Sequence, residues 1–233
     1  MSTPNNVKYK AEEVALIRRG AKIVDDCFDA VLLKIRAGMT EIQLSDFIKT
    51  TLISLGADDI SFETIVCFGE NGSEPHHVPT DRALKKGDMV TVDMGATVSG
   101  FCSDFTRTFA FGTPDAKMVE IYQIVKAAQE IGLKTVGAQV RCFDVDKVCR
   151  DYIAEKGFGE YFVHGTGHGV GKLIHEPPTI NAKSEEVLRQ GEVVTIEPGI
   201  YISGVGGVRI EDMVVVGENA PLSRHGRELL AIC

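Results

Sequence analysis

The sequence predicts an α+β fold of two related halves packed about a pseudo-twofold axis, and three observations lead there. The 233 residues are 44% hydrophobic and 25% charged, the balance of a globular chain that buries its own core. The chain also matches itself: Gly87-Asp88-Met89-Val90-Thr91-Val92-Asp93-Met94-Gly95 lies over Gly191-Glu192-Val193-Val194-Thr195-Ile196-Glu197-Pro198-Gly199 at an offset of 104 residues (197 − 93 = 104), and Gly100 falls on Gly204. Helical apolar spacing then gives way to strand-like runs twice, in the same order. A repeat of about 100 residues exceeds the roughly 20–50 of a solenoid unit. The halves are therefore expected to form a single domain over 1–233, with repeats at about 11–113 and 114–228.

In chain order, Val14, Ile17, Ala21, Val24, Phe28, Val31 and Ile35 recur at helical spacing and predict the first helix. Thr40 is placed to cap the second. The turn Gly69-Glu70-Asn71-Gly72 precedes Glu74-Pro75-His76-His77. Met89–Val92 reads as a buried strand bounded by glycine, with a hairpin after it. The second half repeats the helix pair at an offset of 101 residues (157 − 56 = 101), setting Ile124 on Ile23, Leu133 on Leu32, Val145 on Leu44, Ile153 on Leu52 and Gly157 on Gly56. Val193–Ile196 is its strand, a hairpin follows, and Met213–Val216 is the next strand.

Composition excludes several functions. Against 25 Lys and Arg stand 33 Asp and Glu, a net charge of −8 that disfavours nucleic acid or an anionic membrane as partner. Met1–Asn6 lacks a signal-peptide pattern, and no apolar run approaches the roughly 18 residues of a membrane span. The six cysteines lack framework spacing and read as reduced thiols of a cytoplasmic protein. GxxxxGK[ST] is absent, so no nucleotide loop is expected. Lys8, Lys10, Arg18 and Arg19 read as a solvated helix face, and the isolated His225 as a hydrogen-bonded side chain.

The acids are more informative. Asp93 and Glu197 end equivalent apolar strands, where a carboxylate needs a partner. Past each hairpin a second acid follows, Asp104 in the first half and Glu211 in the second. Two like charges about 4 Å apart repel by roughly 4 kcal/mol at an effective dielectric of 20. Four together require compensation, which Arg107 and Arg209 supply in part and two divalent cations about 3.5–4 Å apart would supply fully. Five of the six histidines fall in two windows, His76-His77 and His164 through His175, the latter rich in glycine that lets backbone approach a ligand. His164-Gly-Thr-Gly-His168 is no zincin helix, because glycines interrupt it and no Glu follows His164.

Four ordered motifs carry a resemblance: Val92-Asp93-Met94-Gly95 through Asp104-Phe105-Thr106-Arg107-Thr108, His164-Gly165-Thr166-Gly167-His168-Gly169, Ile196-Glu197-Pro198-Gly199-Ile200-Tyr201, and Gly207-Val208-Arg209-Ile210-Glu211-Asp212. Together they resemble the pita-bread metallopeptidases (M24), and within them the Xaa-Pro aminopeptidase and Xaa-Pro dipeptidase (prolidase) branch, from about Lys10 onward. The resemblance implies the pita-bread fold, two αβ halves around a curved antiparallel sheet. It implies a dinuclear centre in which Asp93 chelates one ion, His168 and Glu197 the other, and Asp104 and Glu211 bridge both. Mn²⁺ is the ion expected, with Co²⁺, Fe²⁺ or Zn²⁺ as alternatives. It further implies a metal-bridging hydroxide as nucleophile, Glu197 as general base, and His76, His164 and His175 as catalytic, substrate-contacting residues. Arg209 would orient the ligating carboxylates.

The implied substrate is a peptide or dipeptide with proline second. Members of the branch usually carry an extra N-terminal domain, expected to be absent here, and a homodimer is expected. Methionine aminopeptidase is the alternative, but its last two glutamate ligands are generally separated by about twice the 14 residues found here (211 − 197 = 14). Creatinase-like amidinohydrolases and non-catalytic peptide-binding or chaperone-like relatives would be expected to lack part of the ligand set. Substrate, metal and oligomeric state are left open by the residues themselves.

Overall fold

Two helices followed by a run of strands occur twice in a computed structural model that describes residues 8–218 and 220–233. The reading of Met1–Asn6 lies outside the described residues. Helix α1 (Ala11–Lys34) buries the apolar series from Val14 to Val31. Helix α2 (Glu41–Ser54) begins in a capping box, with Thr40 Oγ1 accepting from the Gln43 N–H and the Gln43 side chain accepting from the Thr40 N–H. Helices α3 (Ala116–Thr135) and α4 (Cys142–Glu155) are their counterparts. Both second helices end on a glycine at positive φ, Gly56 at 100° and Gly157 at 85°. The following N–H groups of Ala57 and Phe158 close back onto Leu52 and Ile153.

The first half contributes strands β1 (Asp59–Ile60), β2 (Ile65–Phe68), β3 (Met89–Met94), β4 (Ala96–Val98), β5 (Phe101–Cys102) and β6 (Phe105–Phe111). The second contributes β7 (Gly167–Gly169), β8 (Glu176–Ile180), β9 (Val193–Ile196), β10 (Gly199–Ile202), β11 (Gly206–Arg209), β12 (Asp212–Val215) and β13 (Ala231–Ile232). Hydrogen bonding groups them as β13-β6-β3-β2, β12-β9-β7-β8, β1-β4-β5 and the hairpin β10-β11, antiparallel except for β13 on β6. The duplicated runs β3 and β9 lie inside their sheets with every residue buried, which is why they read as continuous apolar stretches.

The halves are stitched together. The Glu211 N–H donates to Thr106 O at 3.1 Å, and Thr108 Oγ1 donates to Arg209 O at 2.9 Å. Phe101 and Cys102 of the first half pack with Val170, Val193, Met213 and Val215 of the second. Gly69–Ser73 forms a 3₁₀ helix where the sequence predicted a simple turn. Lys8, expected on a helix face, lies ahead of α1 and pairs with Glu176 at 2.7 Å. His225 Nε2 meets Asp25 O at 3.0 Å, a hydrogen-bonded side chain. All six cysteines are free and five are buried. Among the described residues no helix is long and apolar enough to cross a membrane.

Candidate active site

Strand register brings the acids together. Asp93 lies in β3 opposite Thr106, and Asp104 immediately precedes β6. In the second half Asp212 pairs with Ile196, so Glu197 and Glu211 leave adjacent strand ends on β9 and β12. His168 comes from β7 and Arg209 from β11. These six, with His76, His164 and His175, line one cavity of about 860 Å³.

Ligand atoms of Asp104, His168 and Glu211 lie within 4.8 Å of one another. His168 Nε2 is 3.2 Å from Glu197 Oε1 and 3.7 Å from Asp104 Oδ2. Its Nδ1 faces Gly169 O at 3.1 Å, and a carbonyl only accepts, so Nδ1 carries a proton and Nε2 is the atom a metal would meet. Asp93 Oδ2 accepts from Arg209 Nη2 at 2.7 Å, and Glu211 Oε2 from the Thr106 hydroxyl at 2.7 Å. Asp93 Oδ1 and Glu211 Oε1 are buried without a hydrogen-bond partner among the described residues. Such orphaned acceptors each cost roughly 1–3 kcal/mol. A hard or borderline divalent cation fits this mixed oxygen and nitrogen set and would relieve both.

The ionisation of the site expresses the same crowding. Burial, then the charge of Asp93, holds Asp104 well above the usual carboxylate range. Burial and the charge of Asp104 do the same for Glu211. Asp93 is raised by burial and Glu197 against the pull of Arg209. For Glu197 burial is outweighed by the hydrogen bond and charge of His168, and the carboxyl falls to about 2. Burial likewise opposes charge on His168, but the bond to Glu197 and the charges of Glu197 and Asp104 prevail, raising it to about 9. Arg107, expected to offset these acids, instead pairs with Asp212 at 2.7 Å behind the site. Its charge is spent on a second buried carboxylate, leaving Arg209 to serve the cavity.

A chain of hydrogen bonds runs along one wall. Arg209 Nη1 donates to Tyr201 Oη at 2.9 Å, and Tyr201 Oη lies 2.7 Å from His164 Nε2. Burial pushes the Tyr201 hydroxyl up to about 12, so it keeps its proton. Burial depresses His164, which stays neutral with Nδ1–H on Gly165 O at 2.7 Å and Nε2 accepting from Tyr201. Sequence reasoning gave Tyr201 no role of its own. Its signal was asymmetry, since the repeat sets Tyr201 on Thr97. Thr195, which donates to Glu197 Oε1 at 2.9 Å, was also missed although the repeat sets it on Thr91.

His76 and His175 are exposed to the cavity, and their rings make no hydrogen bond among the described residues; the His175 ring packs on His168 at 4.4 Å between centroids. The glycines around His168 are required by packing, and Gly165 and Gly167 also line the cavity. A Cβ on Gly167 would lie 1.9 Å from Thr195 O of β9.

The profile of metallopeptidase family M24 matches residues 15–218. An uncharacterized peptidase, YqhT, of Bacillus subtilis is 44% identical over 95% of this chain and 64% of its own length. The chain thus spans just under two thirds of that relative. Among solved structures, an Xaa-Pro dipeptidase from Bacillus anthracis is 42% identical with a TM-score of 0.94, over 96% of this chain and 63% of its own. An X-Pro aminopeptidase from Thermotoga maritima is 36% identical with a TM-score of 0.93, over 96% and 64%.

Proposed function

The chain belongs to metallopeptidase family M24, and from that premise we propose that it is a metal-dependent peptidase cleaving ahead of a proline at the second position of a peptide. The observation that carries the reading is the convergence of two acids from each half and His168 on one cavity, with buried oxygens of Asp93 and Glu211 lacking hydrogen-bond partners among the described residues. The similar dipeptidase and X-Pro aminopeptidase structures support the preference for proline.

In this reading Asp93, Asp104, His168, Glu197 and Glu211 would hold two divalent ions, Mn²⁺ first among them. When bound, such ions supply Lewis acidity and a nucleophile at neutral pH. The chain's own groups do the rest. Glu197, fixed at Oε1 by Thr195, accepts a proton and passes it to the leaving amine. His76 and His175, with unbonded rings facing the cavity, bind and orient the peptide. His164, which lines the cavity with Nε2 beside the Tyr201 hydroxyl, contacts the substrate with them. Arg209 fixes both Asp93 and Tyr201. A homodimer belongs to the same proposal, and a sedimentation equilibrium showing monomer alone would remove it.

The test is hydrolysis of Ala-Pro, Arg-Pro-Pro, Met-Ala-Ser and Ala-Ala by chelated protein with and without Mn²⁺ or Co²⁺. Metal-restored cleavage before proline is expected, and the rates on Ala-Pro and Arg-Pro-Pro divide dipeptidase from aminopeptidase. Cleavage of Met-Ala-Ser alone would move the substrate to N-terminal methionine. Two bound metals with no cleavage would reject the substrate class.

A further inference from the structure

One histidine of the Pro75-His76-His77 run has no part in the reaction described above. His77 is only 7% exposed, with Nε2 2.9 Å from Glu41 Oε2 and Nδ1 2.8 Å from Glu74 Oε2. Carboxylates only accept, so both ring nitrogens donate and the ring is cationic. Burial opposes that charge, and the bonds to Glu74 and Glu41 outweigh it, holding His77 above the usual histidine range.

Glu41 is fully buried in the first turn of α2, where a negative charge also suits the helix dipole. Its Oε1 accepts from the Phe68 N–H at 2.8 Å and the Asn71 amide at 2.9 Å. Its Oε2 accepts from His77, from the Thr80 N–H at 3.0 Å and from the Thr80 hydroxyl at 2.7 Å. All five donors belong to residues 68–80, the segment that carries His76. The His76 ring has no hydrogen bond of its own among the described residues, so its place is set by its neighbours. On one side Pro75 O accepts from Arg209 Nη1 at 3.2 Å, and on the other stands His77.

We propose that Glu41 and His77 are positioning residues: the buried Glu41 grips His77 and Thr80 and thereby fixes His76 at the cavity wall. The inference rests on the peptidase reading for what His76 does there.

Two isosteric variants separate the acids, because a Gln amide reaches the place of Nε2 and an Asn amide that of Nδ1. His77→Gln keeps the bond to Glu41, and His77→Asn keeps only the bond to Glu74, whose side chain is 69% exposed and worth little as a partner. With Mn²⁺-loaded protein and Ala-Pro, kcat of His77→Asn is expected to fall on the order of tenfold, with KM within about twofold, while His77→Gln stays within about twofold of the parent. Equal kcat in all three overturns the proposal. Ile48→Val, in the core of α2, lowers Tm without touching the couple. If it loses kcat as His77→Asn does at the same loss of Tm, the role is merely structural. A parent that cleaves no peptide sinks the peptidase reading, and imidazole ¹⁵N spectra then decide the positioning. The His76 signal is expected to shift and broaden in His77→Asn and persist in His77→Gln; an unchanged signal in His77→Asn overturns the inference whatever the activity.

Discussion

Glu197 sits between the Thr195 hydroxyl and the His168 ring, and that placement lowers its carboxyl to about 2 in a cavity where burial and neighbouring charge push Asp104 and Glu211 well above the usual carboxylate range. Glu197→Gln preserves shape and the contact with Thr195 but removes the proton acceptor. Its kcat on Ala-Pro is expected to fall by roughly 10²–10⁴-fold, whereas Cys102→Ser, away from the cavity lining, keeps most activity. Full activity in Glu197→Gln would reject the assignment. His168 yields a prediction about metal rather than turnover. Its ring is raised to about 9, so at neutral pH Nε2 carries a proton that a cation must displace. Mn²⁺ uptake is therefore expected to release protons, and its affinity to climb as pH rises toward about 9. Calorimetry in two buffers of unlike ionisation enthalpy reads the release directly, and identical heats in both would contradict it.

At the scale of elements, β7 meets β9 at a distance only glycine permits. In Gly167→Ala the new methyl would lie 1.9 Å from a backbone oxygen that cannot rotate away, so β7 must lift and carry His168 off Glu197. We expect a loss of roughly 1–3 kcal/mol in denaturant titration together with metal affinity, and unaltered Mn²⁺ binding would refute the link. The start of α2 supplies a second prediction. His77 is raised, so the stability it contributes is complete below about 6.5 and is lost as pH rises through its elevated value. Burial acts to raise Glu41, but its bonds to Thr80 and His77 prevail and lower it, so its contribution is complete above about 4.5 and is lost as pH falls. The Tm deficit of His77→Asn should be greatest between those values and shrink toward alkaline pH. A deficit constant from pH 5 to 10 would show that the ring's charge is irrelevant.

Across the whole molecule, the proposed ligands come from both halves: Asp93 and Asp104 from one, His168, Glu197 and Glu211 from the other. Metal held there would tie the halves together and quench the repulsion among their acids. At free metal about 100 times Kd, the stabilisation is about 2.7 kcal/mol per site. For a chain of this size that corresponds to roughly 5–10 °C. Chelation is expected to lower Tm by at least that much and added Mn²⁺ to restore it; a Tm indifferent to metal would separate the acids from any cation.

Much of this was legible before any fold was seen. Periodicity placed α1, Thr40 announced the start of α2, and the duplicated runs foretold β3 and β9 with the acids at their ends, because burial on both faces leaves an unmistakable apolar signature. Arg107 and Tyr201 were not legible, since a guanidinium or a phenol finds its partner across the sheet rather than along the chain, and nothing local says whether Arg107 meets Asp93 or Asp212. Of the two adjacent histidines the resemblance singled out His76, but nothing along the chain gave a partner for His77. Sequence alone determined the repeat, the acids and the family, because these are written in residue type and spacing. Only the tertiary structure decided that His77 turns its ring onto Glu41, because that partner is a buried charge 36 residues away.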